Sequence, residues 1–448
     1  MLCTLSQRSV RLPRTPSRLR SPAFWLPLLT LAALLAGVLA FVPGAPVEVD
    51  PVSYWNAVAF AAGDTLHRGT SQAREMAMTH LAIHDALNAI RPRYARYVDG
   101  QQAPADASPD AAIAAAARTV LDATVSHDAD IDRAYTQALA RIPDGPAKRD
   151  GIATGEAAAR RILAARRGDG ADKADCPYTV KAGIGIWEPT PPDHRRALLP
   201  DWAKVKPFVL GAPEQVLPPP PPAPASARYA RDYAEVAAYG GEDSARRSDA
   251  QAAIARFWAG NVVGSWNEIA RNAVRARNAT VDPRRHLDLW QTARLYALLN
   301  AAMSDGFVAG WHAKYRYHAW RPVTAIQHGA ADGNPATAPD GHWMALLPTP
   351  EHPEYPSTHS VLSAASAGVL DCALGNDGAD VTVTGPGALR WWRVTRHYRS
   401  FRATAREVAE SRVYAGAHFR YANEAGLTQG ARIGAIACGK LQPRPGAG

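Results

Sequence analysis

Three short segments in the C-terminal half of the chain combine basic residues, histidines and hydroxyl groups. The first ends a predicted helix with Lys314 and Arg321, seven residues apart, which is two turns and places both side chains on one face. The second, Pro-Ser-Thr-His at 356–359, brings a hydroxyl and successive backbone N–H groups to a helix N-terminus, an arrangement that binds anions. The third carries Arg412 and His418 on one predicted helix.

This combination of side chains suits a tetrahedral oxyanion. Lys314, Arg321 and Arg412 would neutralise an anion of charge −2 or −3, and the guanidinium groups bind anion oxygens in pairs. One of the two histidines, His359 or His418, would attack or ligate the central atom while the other transfers a proton. The sequence therefore predicts a site for oxyanion chemistry, at the junction of three helices.

The blocks Lys-x6-Arg-Pro, Pro-Ser-Thr-His and Ser-Arg-x5-His together resemble the signature of the vanadium-dependent haloperoxidase and type 2 phosphatidic acid phosphatase superfamily. The likeness extends over residues 258–324 and, more faintly, over 55–90, which are similar to the N-terminal helical part of soluble bacterial haloperoxidases. The resemblance implies an all-α fold, a helical bundle of the vanadium haloperoxidase type.

The resemblance also implies how an oxyanion would be held. Its oxygens would be bound by five residues: Lys314, Arg321, Ser357, Thr358 through its backbone N–H, and Arg412. His418 would be the apical ligand of vanadium, or the phosphorylated nucleophile of a phosphatase, and His359 would be the general acid or base. Vanadate is the expected cofactor in the first case, and none is expected in the second.

Two activities follow as alternatives, with a degenerate oxyanion-binding protein as a third. A haloperoxidase would use hydrogen peroxide to oxidise a halide at vanadate, whereas an acid phosphatase would hydrolyse a phosphate monoester. Trp311 and His352 fall where chloroperoxidase-type and bromoperoxidase-type members, respectively, carry residues near the halide, which favours the peroxidase. A lipid phosphatase of this superfamily usually has several membrane spans, and this sequence does not.

Two positions depart from the family pattern. Thr358 stands where the family usually has glycine, so the turn must accept a β-branched residue. Ala422, four residues after His418, stands where relatives commonly carry an aspartate that fixes this histidine. Asn423 or Glu424 is expected to take over that orientation.

The remaining chain is predicted to be helical. Apolar residues at three- and four-residue spacing cover residues 53–167 and return after residue 228, with a buried central helix through Leu295–Ala313 and a short strand at Val381–Thr384. His80 and His84 have metal-ligand spacing but lie in an apolar helix without the glutamate of a zinc motif, and are interpreted as structural. The predicted regions are 46–211, a Pro-rich linker at 212–227 and a catalytic domain at 228–448.

Most of the net positive charge of the chain lies at its N-terminus. Of a formal net charge of +9, five charges are arginines in the first 22 residues, and an uncharged apolar run follows at 23–42. Residues 1–45 are therefore expected to be an export signal or an N-terminal membrane anchor, which places the body outside the cytoplasmic membrane, in the periplasm or secreted. No basic stripe suited to nucleic acid appears. The exported cysteines, Cys176, Cys372 and Cys438, permit one internal disulfide at most.

Overall fold

The structure is a computed structural model that describes residues 49–448 except 65–68, 126–127, 182, 280–281, 376–380, 387–392 and 446–448. The predicted export segment, residues 1–45, lies outside the described residues. Residues 49–448 form one unit in which helices from both sides of the Pro-rich segment pack together. No described helix is both long and apolar enough to cross a membrane.

The described part of the chain contains thirteen α-helices and one two-stranded sheet, so the all-α prediction is confirmed. In chain order the helices are α1 Pro51–Asp64, α2 Gly69–Ile90, α3 Pro109–Thr124, α4 Ala129–Ala140, α5 Pro146–Ala165, α6 Ala227–Gly240, α7 Asp249–Phe257, α8 Val262–Asn278, α9 Leu289–Tyr317, α10 Pro322–Gln327, α11 Thr358–Leu374, α12 Phe401–Tyr414 and α13 Arg420–Cys438. The strands are β1 Val381–Pro386 and β2 Arg393–Tyr398, which pair antiparallel.

The predicted central helix is α9, and it is buried along almost its whole length. It begins at Leu289, because Asp288 and Gln291 form a capping box that starts the helix there. A separate 3₁₀ turn, Pro283–Arg285, precedes it. The segment after Arg321 begins with the short helix α10, whose first residue is a proline, as helix starts allow.

Helix α11 is the structural centre of the C-terminal half, because α9, α12 and α13 all pack against it. Glycines let α13 come unusually close: a Cβ at Gly430 would lie 2.1 Å from the Val361 carbonyl oxygen. At their far ends, Cys372 of α11 and Cys438 of α13 form a disulfide. The helix that begins with the predicted anion-binding turn is therefore held on three sides.

The Pro-rich segment is tied to the body of the protein. The Tyr317 hydroxyl donates to the carbonyl of Pro218 at 2.8 Å, and the Tyr355 hydroxyl donates to that of Pro219 at 2.7 Å. Just before it, the buried carboxylate of Asp305 on α9 accepts hydrogen bonds from three successive backbone N–H groups, at 208–210. These contacts dock the connection between the two halves onto α9.

Candidate active site

The turn before α11 leaves the first N–H groups of that helix uncapped. Ser357 is the N-cap residue but makes no side-chain cap hydrogen bond, and its Oγ instead accepts from the Ser360 hydroxyl at 3.1 Å. The first N–H groups of a helix have no partner within it and attract anions. Thr358 is the first helical residue and does not adopt the left-handed backbone that would require glycine. The β-branched residue is thus accommodated without strain.

Lys314, in the last turn of α9, is fully buried beneath this turn. Its ammonium group donates to three backbone carbonyls, those of Pro353, Glu354 and Pro356, at 2.9, 2.9 and 2.6 Å. All three of its donors are therefore used in fixing the segment that leads to Ser357. Burial, followed by the positive charge of Arg321, lowers the Lys314 pKa well below its usual value. Lys314 was predicted to bind the anion, and in this structure its donors fix the turn.

Arg321 links two histidines from different segments. Its guanidinium donates to His418 Nε2 at 3.2 Å and to His352 Nδ1 at 3.0 Å, and also to the carbonyls of His352 and Ala417 at 2.9 Å each. Burial lowers the pKa of Arg321 to about 10, so the side chain stays charged at neutral pH. Because a guanidinium only donates, both histidine nitrogens that face it must be acceptors.

His418 is held from its other side by a carboxylate that sequence reasoning missed. Its Nδ1 lies 2.9 Å from Glu354 Oε1, which also accepts from the Phe419 backbone N–H at 3.1 Å. Burial raises the Glu354 pKa to about 7, against the opposing charges of Arg321 and Lys314. Any proton on the carboxyl would sit on Oε2, which has no partner among the described residues, so Oε1 accepts in either state.

The expected substitutes for the missing aspartate bond elsewhere. Asn423 Oδ1 accepts from the Ser360 hydroxyl at 3.2 Å. Glu424 is half exposed and pairs with Arg228 at 2.7 Å on the surface. Neither hydrogen bond involves His418, and the expectation that one of them orients this histidine is wrong for this structure. The only signal in the sequence that Glu354 could be near the site was the position of Glu354 directly before the Tyr-Pro-Ser turn.

Arg412 and His359 each have a buried nitrogen without a hydrogen-bond partner among the described residues. Arg412 is 4% exposed, its Nη1 makes a long 3.5 Å contact with the Trp258 carbonyl, and its Nε has no partner among the described residues. His359 has a backbone hydrogen bond with Gly260, while its Nε2 is buried and unpartnered within the described part of the chain. Burial and the charge of Arg412 lower the His359 pKa well below its usual value.

The two halide-pocket candidates are in contact with each other. The rings of Trp311 and His352 have centroids 4.8 Å apart, tilted by 45°. The Trp311 indole N–H donates to the carbonyl of Leu198 at 3.2 Å, and His352 accepts from Arg321 as described. Burial, followed by the charges of Lys314 and Arg321, lowers the His352 pKa well below its ordinary value, so its ring is neutral. They form a neutral aromatic wall beside the cationic residues.

The residues present fit a tetrahedral oxyanion. Among the buried side-chain atoms that lack a partner in the described structure are Arg412 Nε, His359 Nε2 and Thr358 Oγ1, which lie in or beside the uncapped start of α11. Each buried polar group without a partner costs about 1–3 kcal/mol. Three cations against the single carboxylate Glu354 leave the cluster short of negative charge, and Arg412 Nε is short of an acceptor. An oxyanion supplies both.

Comparison with known proteins found a matching family and a related sequence. Residues 294–444 match the family described as the VCPO second helical-bundle domain. Vanadium chloroperoxidase from Curvularia inaequalis is 28% identical over 141 residues, which cover 28% of this chain. The match spans 22% of the length of that relative.

Solved structures extend the similarity to most of the chain. A bacterial vanadium-dependent iodoperoxidase has a TM-score of 0.72 and 26% identity, with 88% of this chain and 95% of the other covered. A holo-type bacterial vanadium-dependent chloroperoxidase has a TM-score of 0.63 and 20% identity, with coverage of 83% and 91%, and shares the fold. Residues 294–444 therefore resemble the VCPO second helical-bundle domain, and the chain is similar in sequence and fold to vanadium-dependent haloperoxidases.

Proposed function

We propose that this protein is a vanadate-dependent haloperoxidase that oxidises a halide with hydrogen peroxide. The observation that carries the proposal is the buried cation cluster at the start of α11, in which Arg412 Nε and His359 Nε2 are unpartnered among the described residues and His418 Nε2 is approached only by a donor. The family described above supports vanadate as the anion that this cluster binds.

Bound vanadate would supply a Lewis-acidic centre that activates peroxide toward halide. Arg321, Arg412, the Ser357 hydroxyl and the first N–H groups of α11 would hold its oxygens. Lys314 supports them from below, because its three hydrogen bonds fix the segment that presents Ser357. Burial keeps water from competing with these donors, which strengthens each contact with an anion.

The two histidines have different tasks because their hydrogen bonds differ. His418 keeps its proton on Nδ1, toward Glu354, and presents the lone pair of Nε2 as a ligand. His359 makes no such contact with a carboxylate, and its pKa is held down by the neighbouring cations. A bound dianion would offset those charges and raise the His359 pKa, so that this side chain could take and return a proton during turnover.

The test is an assay of purified protein, with and without orthovanadate, for peroxide-dependent bromination and iodination of a dye and for hydrolysis of an aryl phosphate. Vanadate-dependent halide oxidation that disappears in His418→Ala, but persists in the control His342→Ala, supports the proposal. His342 is exposed and lies in a loop. Aryl phosphate hydrolysis inhibited by vanadate would show the phosphatase instead. Anion binding without either activity would show a degenerate site and reject both enzymes.

We also propose that the protein acts outside the cytoplasmic membrane. The five N-terminal arginines and the apolar run after them support export, and the disulfide between Cys372 and Cys438 suits an oxidising compartment. Fractionation of expressing cells, with mass spectrometry of the N-terminus, tests this. Recovery of the protein in the cytosol with both cysteines reduced would reject it.

A further inference from the structure

The start of α13 lacks the local residues that normally cap a helix. Phe419 is the N-cap residue and has no side chain that can accept a hydrogen bond. Ala422 is the third helical residue, the position from which an acidic or amide side chain reaches back to the N-cap N–H in a capping box. An alanine cannot do so. Helix α13 therefore begins immediately after His418 and has no carboxylate of its own at position 422.

Glu354 brings a carboxylate to that place from a distant segment. Its Oε1 accepts from the Phe419 N–H, the same N–H that a side chain at position 422 would reach, and from His418 Nδ1. Glu354 is fully buried, and its own carbonyl is held by Lys314. The carboxylate thus caps the start of α13 and contacts His418 through the same oxygen atom. A negative charge at a helix N-terminus is itself favourable.

The hydrogen bonds of His418 depend on this contact. Arg321 can only donate, so Nε2 accepts and Nδ1 carries the proton in the neutral ring. Nδ1 is buried with the rest of the side chain, which is 2% exposed, and among the described residues Glu354 is the acceptor for its proton. Without Glu354 the Nδ1 proton would be buried without an acceptor, and the ring would rotate to find one.

We infer that Glu354 is the positioning residue of His418, in the place that a carboxylate at position 422 would otherwise fill. The inference rests on the proposed function, in which His418 Nε2 is the ligand that must point at the anion. Positions 354 and 422 are interchangeable in this role, so that a carboxylate is needed at one of them. This relation between two residues 68 positions apart follows from the hydrogen bonds at Phe419.

The experiment compares Glu354→Ala, Glu354→Gln and the double variant Glu354→Ala with Ala422→Asp. The first readout is the Nδ1 proton of His418 in the vanadate-free protein, which a hydrogen bond to a carboxylate shifts far downfield of the amide region; His418→Ala identifies the signal. The second readout is the dissociation constant of orthovanadate. Removal of an outer-shell partner typically weakens metal affinity by about 10–100-fold.

Glu354→Ala should lose the downfield signal and bind vanadate about 10–100-fold more weakly. Glu354→Gln keeps an acceptor of the same shape and should fall between it and the wild type, and the double variant should recover both readouts. Glu424→Gln is the matched control, because Glu424 lies in the same helix and belongs to an exposed ion pair. It should change neither readout. Circular dichroism identifies variants that fail to fold.

Two results would overturn the inference: Glu354→Ala retaining both the signal and wild-type affinity, or a folded double variant recovering neither. Failure of the proposed function has a different outcome. A wild-type protein that shows the downfield proton and binds vanadate or phosphate, but oxidises no halide, would contradict the haloperoxidase and leave the role of Glu354 supported.

Discussion

Two buried polar clusters share helix α9, and they differ in how their hydrogen bonds are satisfied. The amide cluster, between α1, α2, α8 and α9, consists of Asn56, His80, Asn267, Arg271 and Asn300. Asn267 donates to Asn300 at 2.9 Å and accepts from Asn56 at 2.7 Å, while Asn56 also accepts from Arg271. The oxyanion cluster, at the other end of α9, consists of Lys314, Arg321, His359, Arg412 and His418.

The difference lies in the balance of donors and acceptors. An asparagine amide carries both, so three of them can satisfy one another in the interior. Lysine and arginine only donate, and the single carboxylate Glu354 cannot serve three cations and two histidines. The amide cluster is complete except for His80 Nδ1, whereas the oxyanion cluster leaves Arg412 Nε and His359 Nε2 without partners among the described residues. An excess of positive charge over its one carboxylate, and not burial of polar groups as such, distinguishes the oxyanion cluster from the amide cluster.

Replacement of His359 by alanine should have the largest effect, and only on activity. Loss of a general acid or base lowers kcat/KM for halide oxidation by about 10²–10⁴-fold. The free energy of unfolding should change by less than about 1 kcal/mol, since the substitution removes an unpartnered nitrogen and one backbone hydrogen bond. Steady-state kinetics and urea unfolding measure the two quantities. A loss of stability large enough to explain the lost activity would contradict this separation.

Replacement of Asn267 by alanine should do the reverse. Asn56 and Asn300 would each lose a buried partner, so the free energy of unfolding should fall by about 3 kcal/mol. Under conditions where the variant is folded, kcat/KM per folded molecule should equal that of the wild type. If activity instead fell with no loss of stability, the amide cluster would be coupled to the site through α9.

The members of the oxyanion cluster could be named from the sequence because they lie in short motifs with fixed spacing, and their roles stay predictions. A helix start at Ser357 follows from local chemistry. The expectations that Lys314 and Arg321 share one helical face and that Arg412 and His418 lie on one helix are wrong, because α9 ends at Tyr317 and α12 ends at Tyr414. Arg321 is instead the N-cap residue of α10, and His418 lies between α12 and α13. Glu354 could not be predicted, because its role depends on a contact with His418, 64 residues away, and on a cap missing from α13. The three carbonyl contacts of Lys314 likewise depend on where the chain returns after a long loop.

The prediction of individual secondary-structure elements failed where tertiary contacts outweigh the local sequence pattern. The strand at Val381–Thr384 was predicted, but its partner, Arg393–Tyr398, was not, because its alternating exposure shows only when paired. Helix α10 is six residues long, too short for a hydrophobic period to reveal. The domain boundary predicted at the Pro-rich segment remains a prediction.

The amide cluster should also respond to pH in a way that isolates His80. Burial, followed by the charge of Arg271, lowers the pKa of His80 from 6.5 to about 3, so folding favours its neutral form. This contribution to stability is present above pH 6.5 and is lost as pH falls toward 3. From pH 6 to 5 the loss should be about 1 kcal/mol. His80→Gln keeps an acceptor for Asn56 but cannot titrate, so its unfolding free energy should fall less over that interval. Equal slopes for both proteins would contradict the assignment.

The smallest effect is expected for Thr358→Gly, which restores the residue that the family usually has. The predicted contact with the anion uses the backbone N–H, so kcat/KM should change by no more than about twofold, or 0.5 kcal/mol. A glycine in the first turn of α11 should lower the free energy of unfolding by about 0.5–1 kcal/mol. Ser357→Ala is the matched comparison: it removes a hydroxyl predicted to donate to the anion, and should cost about 1.4 kcal/mol, or tenfold in kcat/KM. Should Thr358→Gly lose as much activity as Ser357→Ala, the unpartnered Thr358 hydroxyl would itself be an anion donor, and the oxyanion cluster would contain one more side chain than the family pattern implies.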